Sequence, residues 1–240
     1  MNRAIKGTVI LGVVAAVLFT MVGCSKLQES LDVVGKESII SFDAVLKAIP
    51  DKVEADEMNA GWSLSAPDDS VRFIWSADYS IAPLHDVMLE LDAQPFLDAG
   101  LAPEKLPDEY AYYEGDVMGG MGGKILMVGV KLGDDKLTYS GSPTALTAFE
   151  QIVSNYRSSI SYHTQLDHYG VNLGNGNMFE WAKDMSTNDK DIVFVLEPAA
   201  LIAAGVDPEA VEGWLFAKVT VDIDGKPTEV DKFLKPFDLK

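Results

Sequence analysis

The sequence predicts an α+β fold in which a helix-plus-antiparallel-sheet unit occurs twice in tandem, with helices on one face of the sheet. Three observations predict it. Two separated stretches repeat in the same order along the chain. Segments with helical apolar spacing precede runs with strand character. Glycine-containing pairs mark tight turns between those runs.

The repeat is read directly. FIWSADYS (73–80) aligns with FEWAKDMS (179–186), with four of eight columns identical, including Trp75 with Trp181 and Asp78 with Asp184. DVMLELDAQPFLDAGLAPE (86–104) aligns with DIVFVLEPAALIAAGVDPE (191–209), with six of nineteen columns identical and most others exchanging apolar residues. Phe42-Asp43 and Phe149-Glu150 match further upstream. An ordered series of matches at a nearly constant offset is the mark of a duplicated unit.

Each unit is expected to open with an amphipathic helix, Ser41 to Ile49 in the first and Pro143 to Arg157 in the second. Leu146, Phe149, Ile152, Val153 and Tyr156 fall at helical spacing in the latter. Strands are expected at Gly61–Ser65 and Val71–Tyr79, matched by Tyr162–Leu173 and Asn177–Asp184. Asn175-Gly176 suits a tight hairpin, because both residues tolerate positive φ. The next strand, Val87–Leu91 or Ile192–Leu196, runs into a short helix ended by Gly100 or Gly205 at a C′ position. Asp207-Pro208-Glu209 reads as the cap and first turn of another small helix. Closing strands are expected at Tyr110–Asp116 and Lys124–Leu132, then at Trp214–Ile223 and Thr228–Phe233 around the turn Asp224-Gly225.

The amino terminus has a different character. Arg3 and Lys6 precede an uncharged apolar run from Thr8 to Val22, too short for a comfortable bilayer span of roughly 20 residues. That length fits the core of an export signal. The run ends in Met21-Val22-Gly23-Cys24. This resembles the lipobox of bacterial lipoproteins, and the resemblance covers residues 1–24 only. It implies a thioether-linked diacylglycerol on Cys24, cleavage before it and, in the full lipid form, a fatty acyl group such as palmitate. It also implies export and anchorage to a bacterial membrane. Ser25 after the cysteine points to the outer membrane where the organism has one, and otherwise to the outer face of the cell membrane.

On this reading residues 1–23 are a signal peptide and 24–37 a lipidated tether. Residues 38–141 form repeat unit 1 and 142–240 repeat unit 2, within a single compact body. Cys24 is the chain's only cysteine, so no disulfide can form within the chain and no cysteine nucleophile remains in the body. Without Arg3 and Lys6, 17 of the 19 basic residues face 37 acids, a formal charge of −20. Such a surface argues against nucleic acid as a partner, since phosphate binding is driven by Lys and Arg.

No stretch of the body carries a strong chemical signature. The expected strand Tyr162–Leu173 would place His163 and His168, five apart, on opposite faces and unable to share a metal. The glycine-rich run 119–124 ends in Lys124-Ile125 and lacks the hydroxyl a phosphate loop needs for magnesium. Residues 222–231 put glycine fourth, where a calcium loop needs it sixth. Met118, Met121 and Met127 suggest an adaptable apolar surface rather than a copper site. No catalytic, cofactor-binding or metal-ligating residue is assigned.

The expectation is a non-catalytic binding or interaction module that takes a protein, peptide or small-molecule ligand. The alternatives are a structural or assembly lipoprotein of the cell envelope, and an enzyme whose site is scattered in sequence. The aromatics Trp62, Tyr110, Tyr112, Tyr113, Tyr162 and Tyr169 are the candidates for a binding patch.

Overall fold

A computed structural model describes residues 35–57, 60–76, 85–116, 122–130, 144–155, 157–163, 167–183 and 190–239. The expected signal peptide, Cys24, Asp78, Asp184, Met118 and Met121 lie outside these residues. Helix α1 covers 35–48, so the last three positions assigned to the tether are already helical. It is followed by β1 (Val53–Asp56), β2 (Gly61–Ser65), β3 (Val71–Ser76), β4 (Val87–Asp92), α2 (Gln94–Asp98), β5 (Tyr110–Asp116) and β6 (Gly122–Val130). The second half holds α3 (Ala145–Asn155), β7 (Ile160–His163), β8 (His168–Gly174), β9 (Asn177–Ala182) and β10 (Ile192–Leu196). It ends with α4 (Pro198–Ala203), β11 (Leu215–Ile223) and β12 (Lys226–Phe237).

The strands form two six-stranded antiparallel sheets. Sheet A runs β1-β2-β3-β4-β6-β5, and sheet B, read from its β7 edge, runs β7-β8-β9-β10-β12-β11. The orders correspond strand for strand: in each sheet the last strand in sequence inserts between the fourth and the fifth. The sheets meet through their central strands. Phe73 on β3 stacks on Phe179 on β9, with ring centroids 3.8 Å apart and planes within 4°. Phe42 of α1 stacks on Phe149 of α3 at 3.4 Å. Both rings also meet Trp75 and Trp181, at centroid distances of 5.2 to 6.5 Å. One continuous core results, shared by both halves.

Period-two alternation explains how the strands feed this core. Val71, Phe73 and Trp75 enter it, while Arg72, Ile74 and Ser76 occupy the opposite face of β3 and are also buried. On β9, Phe179 and Trp181 point to the shared core. Met178 instead joins Val193, Val195, Val219 and Leu234 in a second, smaller core on the outer face of sheet B.

The expected turn chemistry is present. Asn175 and Gly176 have φ of 50° and 80°, and Asp224 and Gly225 have 53° and 74°, the positive values a two-residue hairpin requires. Gly100 and Gly205 end α2 and α4 at φ of 102° and 101°. The amides of Leu101 and Val206 donate back to Phe96 and Leu201, so each helix end is satisfied by a six-to-one bond.

These two turns also meet each other. Ala102 N–H donates to the Ala204 carbonyl, and Asp207 N–H donates to the Ala99 carbonyl, both at 2.7 Å. A Cβ on either glycine would stand 2.8 Å from the other glycine's carbonyl oxygen, so the close approach needs glycine on both sides.

Two expectations are corrected, and one strand appears that the sequence reading did not include. The single strand Tyr162–Leu173 is two strands, β7 and β8, paired as a hairpin. Asp207 does cap the amide of Glu209, but 208–210 is a turn rather than a helix. The short edge strand β1 was not expected; its burial pattern shows two exposed residues in the middle, which hid it from apolar alternation.

Candidate functional site

The six candidate aromatics do not form one patch. Tyr110 and Tyr169 are buried in the shared core, and Trp62 and Tyr112 pack half-buried against it. Only Tyr113 and Tyr162 stand out, 45% and 37% exposed. Tyr113 lies on β5, an edge of sheet A, and Tyr162 on β7, an edge of sheet B. Tyr162 and Tyr169 face each other across the hairpin with centroids 5.2 Å apart. Asp167 accepts from the Tyr162 hydroxyl, and Lys183 lies over the Tyr162 ring at 5.7 Å. Tyr169 reaches back to α1 and donates to Glu37 at 2.8 Å. Tyr112 donates to Glu114 at 2.5 Å, and that carboxylate holds the phenol up at about 12.

The hairpin puts the two histidines together instead of apart. His163 and His168 are direct cross-strand partners, so they share a face of sheet B. Both are buried. Glu180 on β9 shares that face, and its carboxylate oxygen lies 3.2 Å from His163 Nδ1. The reach crosses β8 above Gly170, the register partner of Glu180. A Cβ on Gly170 would lie 3.0 Å from Glu180 Cγ and 3.4 Å from its carboxylate, so the missing side chain leaves the path open.

The other ring nitrogen, His163 Nε2, lies 2.8 Å from the carbonyl oxygen of Thr220 on β11. Since β7 and β11 are the two edges of sheet B, the sheet curls until its edges meet at this imidazole. A carbonyl only accepts, so Nε2 carries a proton. The Glu180 carboxylate set against Nδ1 is the largest influence on the ring and raises its pKa; burial opposes it, while the charge of that carboxylate and the Thr220 carbonyl add to it. The net pKa lies above the usual 6.5.

Sheet A buries a different constellation on its outer face. The Arg72 guanidinium reaches Asp56 at 2.9 Å, Ser63 at 3.1 Å and Glu90 at 3.4 Å. A third polar group lies where the halves meet. Lys232 donates to Glu197 at 2.7 Å and to the Gly176 carbonyl at 2.8 Å. Asn177 accepts from the Glu197 amide at 3.0 Å. Tyr110 of sheet A approaches this cluster, and its burial pushes the phenol up to about 12.

Chemically, the two outer-face clusters are locks. Glu180 has no exposed surface and His163 only 4%, so neither presents a reactive atom to a substrate from bulk solvent. Among the described residues no group of three or more His, Cys, Asp or Glu is arranged to hold a metal, and no helix is long and apolar enough to cross a membrane. The histidine–glutamate pair was missed because one strand was read across the hairpin. The palindromic order Tyr162-His163 … His168-Tyr169, flanking four residues that end in Asp167, is the signal that could have found it. Compared with family models, curated proteins and solved structures, the chain matches none.

Proposed function

We propose that the protein is an exported lipoprotein, held on a bacterial membrane through lipid on Cys24, whose body is a non-catalytic interaction module. The observation that carries the reading is the apolar run ending in Met21-Val22-Gly23-Cys24, close ahead of a folded body. From Cys24 to the start of α1 at 35 the chain reaches about 40 Å at full stretch, so the anchor would hold the body against the membrane. Each buried methylene of the acyl chains adds about 0.8 kcal/mol of anchoring. A body of formal charge −20 would be repelled by anionic headgroups and would favour a cationic or neutral partner.

The body itself reads as two copies of one unit closed on each other. The matching strand orders, the Phe73–Phe179 and Phe42–Phe149 stacks and the reciprocal bonds of the Gly100 and Gly205 turns support that origin. In this reading each unit keeps its helices on the sheet face that meets the other unit. The surface left for a partner includes Tyr113 and Tyr162, with Ile40, Ile202, Leu215 and Ile223 exposed elsewhere.

Growing cells on an alkyne-tagged fatty acid tests the anchor. Wild type is expected to take up label and partition into detergent, and Cys24→Ala to do neither. An unlabelled wild-type chain would sink the lipoprotein reading. A photo-crosslinking residue at Tyr113 or Tyr162 tests the module: one recurrent adduct, lost in a control placed at Lys226, is expected. Equal, diffuse labelling at all three positions would argue against a specific partner.

A further inference from the structure

We infer that His163 is a proton-operated clasp that holds sheet B closed and releases the β11–β12 hairpin as pH rises. The inference goes beyond the module reading and does not depend on it. It rests on three strands meeting at one imidazole: β7 carries the ring, β9 supplies Glu180 at Nδ1, and β11 supplies the Thr220 carbonyl at Nε2.

The proton inventory gives the switch. The imidazolium has two N–H donors and meets two acceptors, a carboxylate and a carbonyl. The neutral ring has one. If the remaining proton stays on Nε2, the Nδ1 lone pair faces the Glu180 carboxylate in a site closed to solvent. If it moves to Nδ1, the imidazole no longer donates to the Thr220 carbonyl and the edge strands lose this tie. Either way deprotonation breaks one side of the clasp.

Other charged and titratable groups surround the pair. From β8, His168 stands opposite in register. From β11, Lys218 is turned outward and paired with Asp231 on β12. Lys232 on β12 is engaged with Glu197 and the Gly176 carbonyl. What the hairpin covers is apolar: Val219 from β11 and Leu234 from β12 lie on Met178, Val193 and Val195. Opening the seam would present that strip to solvent or to a partner.

The sign follows from the direction of the shift. The closed state raises the pKa of His163, so its contribution is complete below about 6.5, the ordinary value for a histidine, and is lost as pH rises through the higher folded value. The loss in closure is about tenfold for each unit by which closing raises that pKa.

The test is amide hydrogen exchange of the full chain in detergent micelles across this range, with the imidazole nitrogens of His163 followed by NMR. In wild type, amides of Thr220 and Val221 should lose protection beyond the intrinsic rise with pH, in step with the His163 titration. Glu180→Gln supplies an amide that can donate to a neutral Nδ1, so both ring nitrogens stay satisfied and β11 protection should no longer follow the ring. The same β11 pH dependence in wild type and Glu180→Gln would overturn the clasp. Should that variant fail to fold, the wild-type nitrogens alone decide: a ring already neutral below pH 6.5 overturns it, and a doubly protonated ring supports it.

Discussion

The outer faces of the two sheets bury ionic clusters of different kinds at comparable places. Asp56 ends β1 and His163 ends β7, the first strand of each sheet, and each is joined to a group on the third strand, Arg72 or Glu180. In sheet A the cation is a guanidinium held by two carboxylates and a hydroxyl. In sheet B it is an imidazole between one carboxylate and a backbone carbonyl. A guanidinium keeps its charge across the pH range of folded proteins, whereas an imidazole loses it near neutrality. One architecture therefore carries a permanent lock on one side and a conditional one on the other.

The comparison is broken most severely at Arg72. Arg72→Met leaves the Asp56 and Glu90 carboxylates buried without the guanidinium, and breaking a buried pair from one side costs about 3–5 kcal/mol. Glu180→Gln keeps hydrogen-bonding groups on both sides of the ring, and its cost at pH 6 should stay under about 1.5 kcal/mol. Urea unfolding midpoints, with the slope checked for constancy, measure both. Equal losses would mean that the two clusters are locks of the same kind.

The next effect probes how far the halves are equivalent. Gly100→Ala and Gly205→Ala each force a side chain into a left-handed turn and against the opposing carbonyl, at a cost of about 1–3 kcal/mol. The two losses should agree within measurement. The double variant should cost less than their sum, because both clashes act on one seam and one rearrangement relieves both. Unequal single losses would show that the seam is supported from one side. A smaller coupling is expected at the ring stack: in the cycle Phe73→Leu, Phe179→Leu the double variant should lose about 0.5–1.5 kcal/mol less than the sum of the two single losses.

Much of this architecture was legible because the informative residues act locally. Gly100 and Gly205 announce a helix end wherever it packs, and Asn175-Gly176 announces a hairpin. Matching columns such as Trp75 and Trp181 pick out residues of the shared core before any contact is known. The clusters were not legible for the converse reason. Arg72 lies in a strand buried on both faces, and nothing local tells which acids will meet it. Glu180 reaches His163 across a glycine, and Thr220 is distant by 57 residues. The aromatic patch failed on the same ground. Tyr110 and Tyr169 share a residue type with Tyr113 and Tyr162, and only the packing of the two sheets buries the first pair and exposes the second.

The smallest expected effect lies where the halves touch at the surface. Lys235 of β12 approaches Asp68, in the β2–β3 turn, at 3.4 Å, with the Asp68 side chain 61% exposed. Partial burial pulls the carboxyl's pKa up, but donors from the Ser70 hydroxyl and amide, together with Lys235, more than offset it, so the pKa falls below 3.8. Its contribution is therefore present above about 3.8 and fades as pH falls through the lower folded value. Exposed pairs are worth about 0–1 kcal/mol, so Asp68→Asn should change stability at pH 7 by less than about 1 kcal/mol, and less still at high salt. Thermal unfolding at two salt concentrations checks it. A loss comparable to that of Arg72→Met, insensitive to salt, would mean that surface charge holds the halves together and not the shared aromatic core.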